Sequence, residues 1–270
     1  MSPLTFSLKF PLRQRLDVSP LVPDRLVGKS RAELAAIQLQ YGNRKVPLGE
    51  FFTIGGSDPE TIHLTGSPKL DFIGRGMTRG TIEVEGEAGA YLGMQMRGGR
   101  LRISGSTGPY AACELRGGIV EVGGNAGDWL GAALPGNKKG MSDGVVIVKG
   151  NAGNRAGDHM RRGAILIEGN AGAYLGARMT AGTVAVRGEV GCHAGYAMRR
   201  GTLLLYRPLA AILPTFNDCG THTLGFLPLL LRGFEGLDTF FATPVARRAR
   251  VRRLVGDLSA LGKGEILLVL

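Results

Sequence analysis

The residues of this sequence that could perform covalent or metal chemistry form two Cys–His pairs. Cys192 and His193 are neighbours, and Cys219 and His222 have a Cys-x-x-His spacing. A thiol beside an imidazole can act as a nucleophile only with spatial contact and a third, orienting group. Two ligands do not complete a zinc site. We therefore expect no catalytic residue and no metal site in this chain.

Glycine-rich runs such as Gly86 to Gly89 recur along the chain and could in principle bind phosphate. Phosphate loops open a helix or continue into Gly-Lys-Ser/Thr, and none of these runs does. The cysteines also lack the clustering of iron–sulfur ligands. We therefore interpret the glycines as structural.

The glycines mark a repeat between Ile62 and Leu205. The first glycine of each copy, the lead glycine, follows a short β-like run, and successive lead glycines are 19, 19, 26, 19 and 19 residues apart. A fixed period is typical of repeat architectures. Ala112 stands where the pattern expects glycine. The predicted corners of the stacked units are Gly86, Gly89, Gly93, Gly105, Gly108, Gly124, Gly127, Gly131, Gly150, Gly153, Gly157, Gly169, Gly172, Gly176, Gly188, Gly191 and Gly195.

Each repeat contains one four-residue run that alternates apolar and variable residues. Stacking the repeats pairs these runs in parallel at ~4.8 Å and buries one face. No repeat contains an amphipathic helix, so the predicted fold is all-β, a single-stranded parallel β-helix of about seven to eight coils. A second short strand is expected after Gly89. A third inward column holds Met96, Leu115, Met141, Met160, Met179 and Met198.

The two flanks do not share the repeat. Residues 1–55 are predicted to form a small α+β cap, 56–206 the β-helix, and 207–270 a covering segment. In the cap, Ser30 is a suitable N-cap for a helix from Arg31 to about Ile37. In the tail, the alternation of Arg247 to Arg253 suggests an edge strand. Further predicted elements are strands at 4–10, 46–52 and 265–270 and a short helix at 234–241.

Two outward columns bear on interactions. The position three before the lead glycine changes from Glu83, Arg102 and Glu121 to apolar residues from Ile147 onward, so the C-terminal segment or another subunit must cover the late repeats. The position five after the lead glycine is nearly all aromatic, which fits either an interface or corner packing. That column reads Tyr91, Tyr110, Trp129, Arg155, Tyr174 and His193.

A third outward column, the arginine column, consists of Arg97, Arg116, Arg161 and Arg199. Like charges stacked near 5 Å repel by ~1 kcal/mol per pair even in water. The side chains must either spread into solvent or face a polyanion or an acidic subunit. The one insertion in the repeats, 132–140, is either a contact loop or a neutral change of length.

Composition limits the class of protein. The 270 residues carry a net charge of +11, which implies an acidic partner, and three scattered cysteines favour a reducing cytoplasm over a disulfide framework. The chain start lacks a secretory h-region, and the longest apolar run is far short of the ~20 residues of a membrane span. We expect a cytoplasmic protein without membrane contact.

The repeated Gly-x-x-Gly-x-x-x-Gly motif resembles a right-handed β-helix shared by the C-terminal domain of the glutamate synthase large subunit and the C subunit of formylmethanofuran dehydrogenase. The flanks are similar to the free-standing C subunit, at Ala-Ile-Gln-Leu-Gln-Tyr-Gly-Asn-Arg-Lys-Val-Pro-Leu-Gly-Glu-Phe-Phe (36–52) and Gly-Asp-Leu-Ser-Ala-Leu-Gly-Lys-Gly-Glu-Ile-Leu (256–267).

This resemblance implies a non-catalytic scaffold subunit of a hetero-oligomer. Its partners would be an amidohydrolase-like A subunit, a B subunit and a formyltransferase-like D subunit, which move a formyl group from tetrahydromethanopterin to a methanofuran-type carrier and release formate. The chain itself would bind no cofactor, although the carrier's glutamate chain could lie along the arginine column at subunit interfaces. The arginine-rich composition resembles a GC-rich bacterial source and favours the methylotroph formyltransferase/hydrolase complex.

Three alternatives compete with that interpretation. The chain could be the C subunit of the tungsten or molybdenum dehydrogenase of methanogenesis, or a glutamate synthase-related spacer domain. A basic solenoid that binds nucleic acid would need exposed aromatics interleaved with arginine, a condition that the aromatic column meets only loosely. We therefore expect no nucleic-acid partner.

Overall fold

The computed structural model describes residues 2–270, and most of its regular structure is β. Four short helices lie at α1 Pro23–Leu26, α2 Arg31–Ala35, α3 Leu48–Phe51 and α4 Phe226–Arg232. The strands are β1 Pro3–Leu8, β2 Leu16–Asp17, β3 Gln38–Tyr41, β4 Arg44–Pro47, β5 Phe52–Gly55, β6 Asp58–Ser67, β7 Leu70–Asp71, β8 Thr81–Ala88, β9 Arg100–Ile103, β10 Arg116–Val122, β11 Asp143–Val148, β12 Ala164–Ile167, β13 Thr183–Val186, β14 Arg200–Leu205, β15 Asn217–Thr223, β16 Arg250–Gly256 and β17 Lys263–Val269.

Thirteen strands form one large, mostly parallel sheet in the order β15-β16-β17-β14-β13-β12-β11-β10-β9-β8-β6-β1-β5. Equivalent residues of successive repeats lie opposite each other, as Ile82 does to Leu101 and Leu101 to Val120. Both inward positions of every repeat strand are buried, because the residues between them point to the other face. The mostly β fold and these two inward columns are confirmed.

The second strand expected after Gly89 is wrong. Leu92 and its equivalents are buried, but they lie in turns, where neighbouring repeats are joined by separate backbone hydrogen bonds such as that from Gly93 to Ile73 at 2.8 Å. Before each of these turns, neighbouring repeats are paired by single β-bridges. These bridges join Ala88, Thr107, Ala126, Ala152, Ala171 and Val190 in succession. The chain bends too soon after each bridge for a longer strand to form. The methionine column beyond the turn is fully buried, as predicted.

The glycines of the repeats serve two different purposes. At the third glycine of a repeat, such as Gly93, φ is positive at 62°, and the equivalent Ala112 also has a positive φ, of 53°. At the first glycine, such as Gly105, the reason is space, because an added Cβ would lie 2.4 Å from the carbonyl oxygen of Gly86 in the preceding repeat. Stacked backbones approach too closely there for any side chain.

The N-terminal segment lies against the first repeat. Strand β1 pairs in parallel with β6 and antiparallel with β5, so β5 forms that edge of the large sheet. The Ser30 hydroxyl accepts a hydrogen bond from the Glu33 amide in a capping box, and α2 begins as predicted but ends at Ala35. The strand predicted at 46–52 is instead the end of β4, helix α3 and the start of β5.

The C-terminal segment covers the outer face of the late repeats. The outward residues Ile147, Leu166 and Ala185 are buried in one cluster with Leu231 and Phe241. Of the two possible covers, the structure therefore places this chain's own C-terminal segment on the apolar half of the sheet.

Two predictions for this tail are wrong. The arginine-rich strand is not an edge, because β16 lies between β15 and β17. The helix predicted at 234–241 lies earlier, at α4, and only 3₁₀ turns follow at Phe240–Ala242 and Pro244–Ala246. No helix among residues 2–270 is long and apolar enough to cross a membrane.

Candidate functional site

The Cys–His pairs lie on the surface and make ordinary contacts. The His222 ring nitrogen Nε2 is 2.8 Å from the carbonyl oxygen of Cys219, and the His193 ring stacks on Tyr174 at 4.8 Å. All three cysteines are free, and burial raises the pKa of the Cys113 thiol to about 12, which keeps it protonated. Within residues 2–270, no three His, Cys, Asp or Glu side chains are grouped to hold a metal ion.

The four residues of the arginine column are all exposed. Each donates its backbone N–H to the carbonyl of the inward residue one repeat earlier, as Arg116 does to Met96 at 2.8 Å. By the same bonds, Ser142 lies between Arg116 and Arg161, and Thr180 lies between Arg161 and Arg199. The column is therefore contiguous only at Arg97 and Arg116.

No side chain of the arginine column forms an ion pair within the described part of the chain. At its N-terminal end, Arg97 lines a cleft of about 490 Å³ together with Arg25 and Arg75, and no carboxylate lines that cleft. Guanidinium groups present fixed donor pairs that match carboxylates. The column and its cleft can therefore bind a polyanion of the carboxylate type.

The aromatic column forms a continuous stack. Phe72, Tyr91, Tyr110 and Trp129 stack with ring centroids 4.8 to 5.7 Å apart. Arg155 continues the column, with its guanidinium carbon 4.9 Å from the Trp129 ring and 4.6 Å from the next ring, Tyr174. Every residue of the stack has a positive φ, a conformation that bulky side chains rarely adopt, so the residue types gave no signal of it.

Asp158 anchors the side chains around Arg155. It is 1% exposed, and its carboxylate accepts hydrogen bonds from Arg155 at 3.3 Å and from Arg178 Nε at 2.9 Å. His159 Nδ1 is 2.9 Å from the same carboxylate. Burial lowers the pKa of His159, although Asp158 acts in the opposite direction. This cluster was not found from the sequence, because Asp158 stands at a position with no common residue type.

A second buried carboxylate, Glu114, lies beside the insertion at 132–140. It is 6% exposed and accepts a hydrogen bond from Gln95 Nε2 at 2.9 Å, one from the Leu134 amide at 3.3 Å and one from Asn137 Nδ2. Burial alone would raise the pKa of Glu114, but hydrogen bonds from Asn137 and Gln95 outweigh it and lower the pKa below its usual value. Glu114 is therefore charged at neutral pH.

The uncovered half of the large sheet forms a groove of about 650 Å³ between β1 and the C-terminal segment. Lys149 pairs there with Asp238 at 3.0 Å, and the His63 ring nitrogen Nε2 lies 3.1 Å from the Glu83 carboxylate. The groove therefore has mixed charge, unlike the arginine column. His63 faces outward, as expected.

An asparagine ladder lies on one edge of the stack, and it was not predicted although the sequence shows it. The position after the lead glycine holds Asn125, Asn151 and Asn170, and each asparagine Oδ1 accepts the backbone N–H of the next repeat at 2.8 Å. Recurring asparagine at one position of a repeat is a recognisable signal. The ladder ties the corners together on this edge.

No protein-family model matches the chain. The C subunit of the formyltransferase/hydrolase complex Fhc of Methylorubrum extorquens is 45% identical over 264 residues, which cover 97% of this chain and 98% of that protein. The C subunit of the molybdenum-containing formylmethanofuran dehydrogenase 1 of Methanosarcina barkeri is 34% identical over 84 residues, 29% of this chain and 28% of that protein. The C subunit of the tungsten-containing formylmethanofuran dehydrogenase 2 of Methanothermobacter marburgensis is 37% identical over 84 residues, 29% of this chain and 31% of that protein.

The fold is also similar to a solved structure. A chain of the crystal structure of the formyltransferase/hydrolase complex FhcABCD from Methylorubrum extorquens, in complex with methylofuran, superposes with a TM-score of 0.92 at 39% identity. The match covers 98% of this chain and 99% of that chain. The similarity therefore includes both flanks as well as the repeats.

Proposed function

We propose, from the premise that the chain belongs to the family of formyltransferase/hydrolase complex C subunits, that it is the scaffold subunit of such a complex and performs no chemistry itself. The observation that carries this proposal is the 45% identity over 97% of the chain. The arrangement of the repeats supports it, because the strand of each repeat is hydrogen-bonded to the strand of the next repeat, and the stack therefore offers partners a long, rigid surface.

We further propose that the repeats form a right-handed parallel β-helix of seven to eight coils. Residues 1–55 would cap it and residues 207–270 would cover it. Support comes from the parallel register of β8 to β14, in which paired residues of most neighbouring strands are 19 positions apart. Parallel crossovers are right-handed in nearly all proteins. A crystal structure in which the coils wind to the left, or in which helices cover both faces, would contradict this proposal.

The complex would transfer a formyl group from tetrahydromethanopterin to a methanofuran-type carrier and release formate. The amidohydrolase-like A subunit and the formyltransferase-like D subunit would carry out these reactions, and the complex would also contain a B subunit. The three free cysteines of this chain suit a cytoplasmic location. The alternative is the C subunit of a molybdenum or tungsten formylmethanofuran dehydrogenase. The methanogen relatives match only 29% of the chain, which favours the first assignment.

Affinity purification on a tag at this chain, from cells that co-express the four subunits, tests the function. We expect A, B and D subunits to co-purify, formyl transfer and hydrolysis only in the assembled complex, and no molybdenum or tungsten by elemental analysis. The proposal would be contradicted if the chain purified without partners, if it carried nucleic acid that salt releases, or if the isolated chain turned over substrate.

The arginine column is our proposal for the surface that contacts the glutamate chain of the carrier. Its arginines are exposed and have no carboxylate partner within the described part of the chain. Reversing the charge of Arg97, Arg116 and Arg161 together should lower carrier retention about tenfold or more. The matched control reverses Arg31, Arg44 and Arg232, which are also exposed and lie elsewhere. Unchanged retention in a normally assembled complex would dispose of the proposal.

A further inference from the structure

The insertion at 132–140 is held at both of its ends by the following repeat. At its start, the Ala133 amide donates to the carbonyl of Asp158 at 3.2 Å. At its end, the Gly140 amide donates to the carbonyl of His159 at 3.0 Å. Ala133 and Gly140 are buried, whereas the tip from Pro135 to Lys139 is exposed. The loop thus has fixed ends and a tip that projects into solvent.

The buried carboxylate of Glu114 holds the loop by hydrogen bonds. Two of its three hydrogen-bond donors, the Leu134 amide and the Asn137 side chain, belong to the loop. A buried carboxylate without donors would cost several kcal/mol or lose its charge. With the loop in this conformation Glu114 stays buried and accepts most of its hydrogen bonds from the loop, an arrangement that a neutral change of length does not require.

The tip carries two lysines with no ion-pair partner among residues 2–270. Lys138 and Lys139 are both exposed. The loop rejoins the stack just before Ser142, which replaces an arginine between Arg116 and Arg161. It therefore adds two positive charges where the arginine column is interrupted.

We propose that the loop at 132–140 is a preorganised docking element for an acidic surface of a partner protein subunit. Lys138 and Lys139 form ion pairs with that surface, and Glu114 is a positioning residue that holds them. A fixed loop loses little conformational entropy on binding, so its charges contribute more to affinity. This inference rests on the proposed function, since the partner is another subunit of the same complex.

The experiment compares charge-reversed variants in the complex of four co-expressed subunits. Lys138→Glu with Lys139→Glu should weaken retention of one partner about tenfold at low salt, by native mass spectrometry, and the difference should shrink as salt screens the charges. The control, Lys29→Glu with Lys45→Glu, makes the same change at exposed lysines in the N-terminal segment. Equal weakening by both pairs, or none by the loop pair, overturns the proposal.

Glu114→Gln tests the positioning role, because an amide in place of the carboxylate turns a donor toward the donors of the loop. We expect about tenfold faster hydrogen exchange at the Leu134 amide and a smaller loss of partner retention than with the lysine pair. In the Lys138→Glu, Lys139→Glu background, Glu114→Gln should cause no further loss, because it acts through the lysines. An additive loss overturns the positioning role.

These outcomes distinguish failure of the docking proposal from failure of the proposed function. If the unaltered chain retains no A, B or D subunit, the proposed function fails. If the unaltered chain assembles and the loop variants assemble equally well with the same salt dependence, only the docking proposal fails.

Discussion

At the scale of single residues, the aromatic column combines a backbone cost with a side-chain gain. A left-handed conformation costs a non-glycine residue roughly 1–2 kcal/mol. Offset stacking of aromatic rings contributes about 0.5–1.5 kcal/mol per pair, and Arg155 adds two cation–π contacts. The two effects are similar in size, so the stack can hold a corner that isolated aromatic residues would not adopt.

Ala112 offers a direct test of corner strain. Its φ is 53°, whereas the equivalent residue of the other repeats is glycine. We expect Ala112→Gly to raise the free energy of unfolding by about 0.5–1 kcal/mol, because relief of the left-handed strain exceeds the entropy gained by the unfolded chain. Urea unfolding measures the change. The neighbouring Ala111→Gly should instead destabilise, since Ala111 is buried without a positive φ; a loss of stability in both variants would contradict the strain argument.

Asp158 supports a second prediction at this scale. Asp158→Asn removes the charge that its arginines and His159 share, and should lower the free energy of unfolding by about 2 kcal/mol. Asp238→Asn is the matched control, because that side chain is 86% exposed and its pair with Lys149 should be worth under ~1 kcal/mol. Urea unfolding midpoints compare the two variants. Equal midpoints would show that Asp158 does not hold the cluster.

At the scale of elements, the C-terminal segment decides which half of the large sheet is open. Strands β12 and β13 are buried at every position, since the inner face lies in the core and the outer face lies under α4 and the turns after it. Strands β8 and β9 keep exposed or half-exposed polar residues on the outer face. Within residues 2–270, the early repeats are therefore the part of the stack whose outer sheet face stays open to other molecules.

Helix α4 contains a matched pair of leucines for testing the cover. Leu231 is 1% exposed and Leu229 is 65% exposed. Leu231→Ala should lower the free energy of unfolding by about 2–5 kcal/mol, because it leaves a cavity against the outer face. Leu229→Ala should change it by about 0.5 kcal/mol or less. Chemical unfolding compares them, and an equal effect would mean that α4 does not pack as the structure shows.

The elements also show where sequence reasoning succeeds and fails. The repeat strands were predictable because burial of one face imposes a period of two on residues such as Ile165 and Ile167. Strand β15 was not, because all seven of its residues are exposed and leave no apolar pattern. Missing β15 made the arginine-rich β16 look like an edge, although Arg252 pairs with Asp218 of β15 at 2.6 Å.

The candidate surfaces were predictable to a different degree. The positions of Arg97 and Arg116 follow from the repeat alone, because identical places in successive repeats stack. The clamp of Glu114 on Asn137 was not predictable, since the insertion follows no template and its conformation depends on contacts between repeats. The conformation of such a loop therefore has to be read from a structure.

At the scale of the whole molecule, the protection of backbone amides from hydrogen exchange should follow the depth of burial along the sheet. We expect the slowest backbone hydrogen exchange in β12 and β13, which are buried on both faces, and the fastest strand exchange in β15. Mass spectrometry of exchanged peptides measures this gradient in the isolated chain. Equal protection of β15 and β12 would contradict the depth argument.

Both margins of the large sheet end in antiparallel pairs, β5 on β1 and β15 on β16, so the stack has a definite length. From β6 to β14 the sheet advances by seven strand spacings, about 34 Å. Two molecules anchored on different repeats are consequently held apart by whole multiples of one spacing. Adding or removing one repeat would therefore move the two ends of the stack relative to each other by one strand spacing.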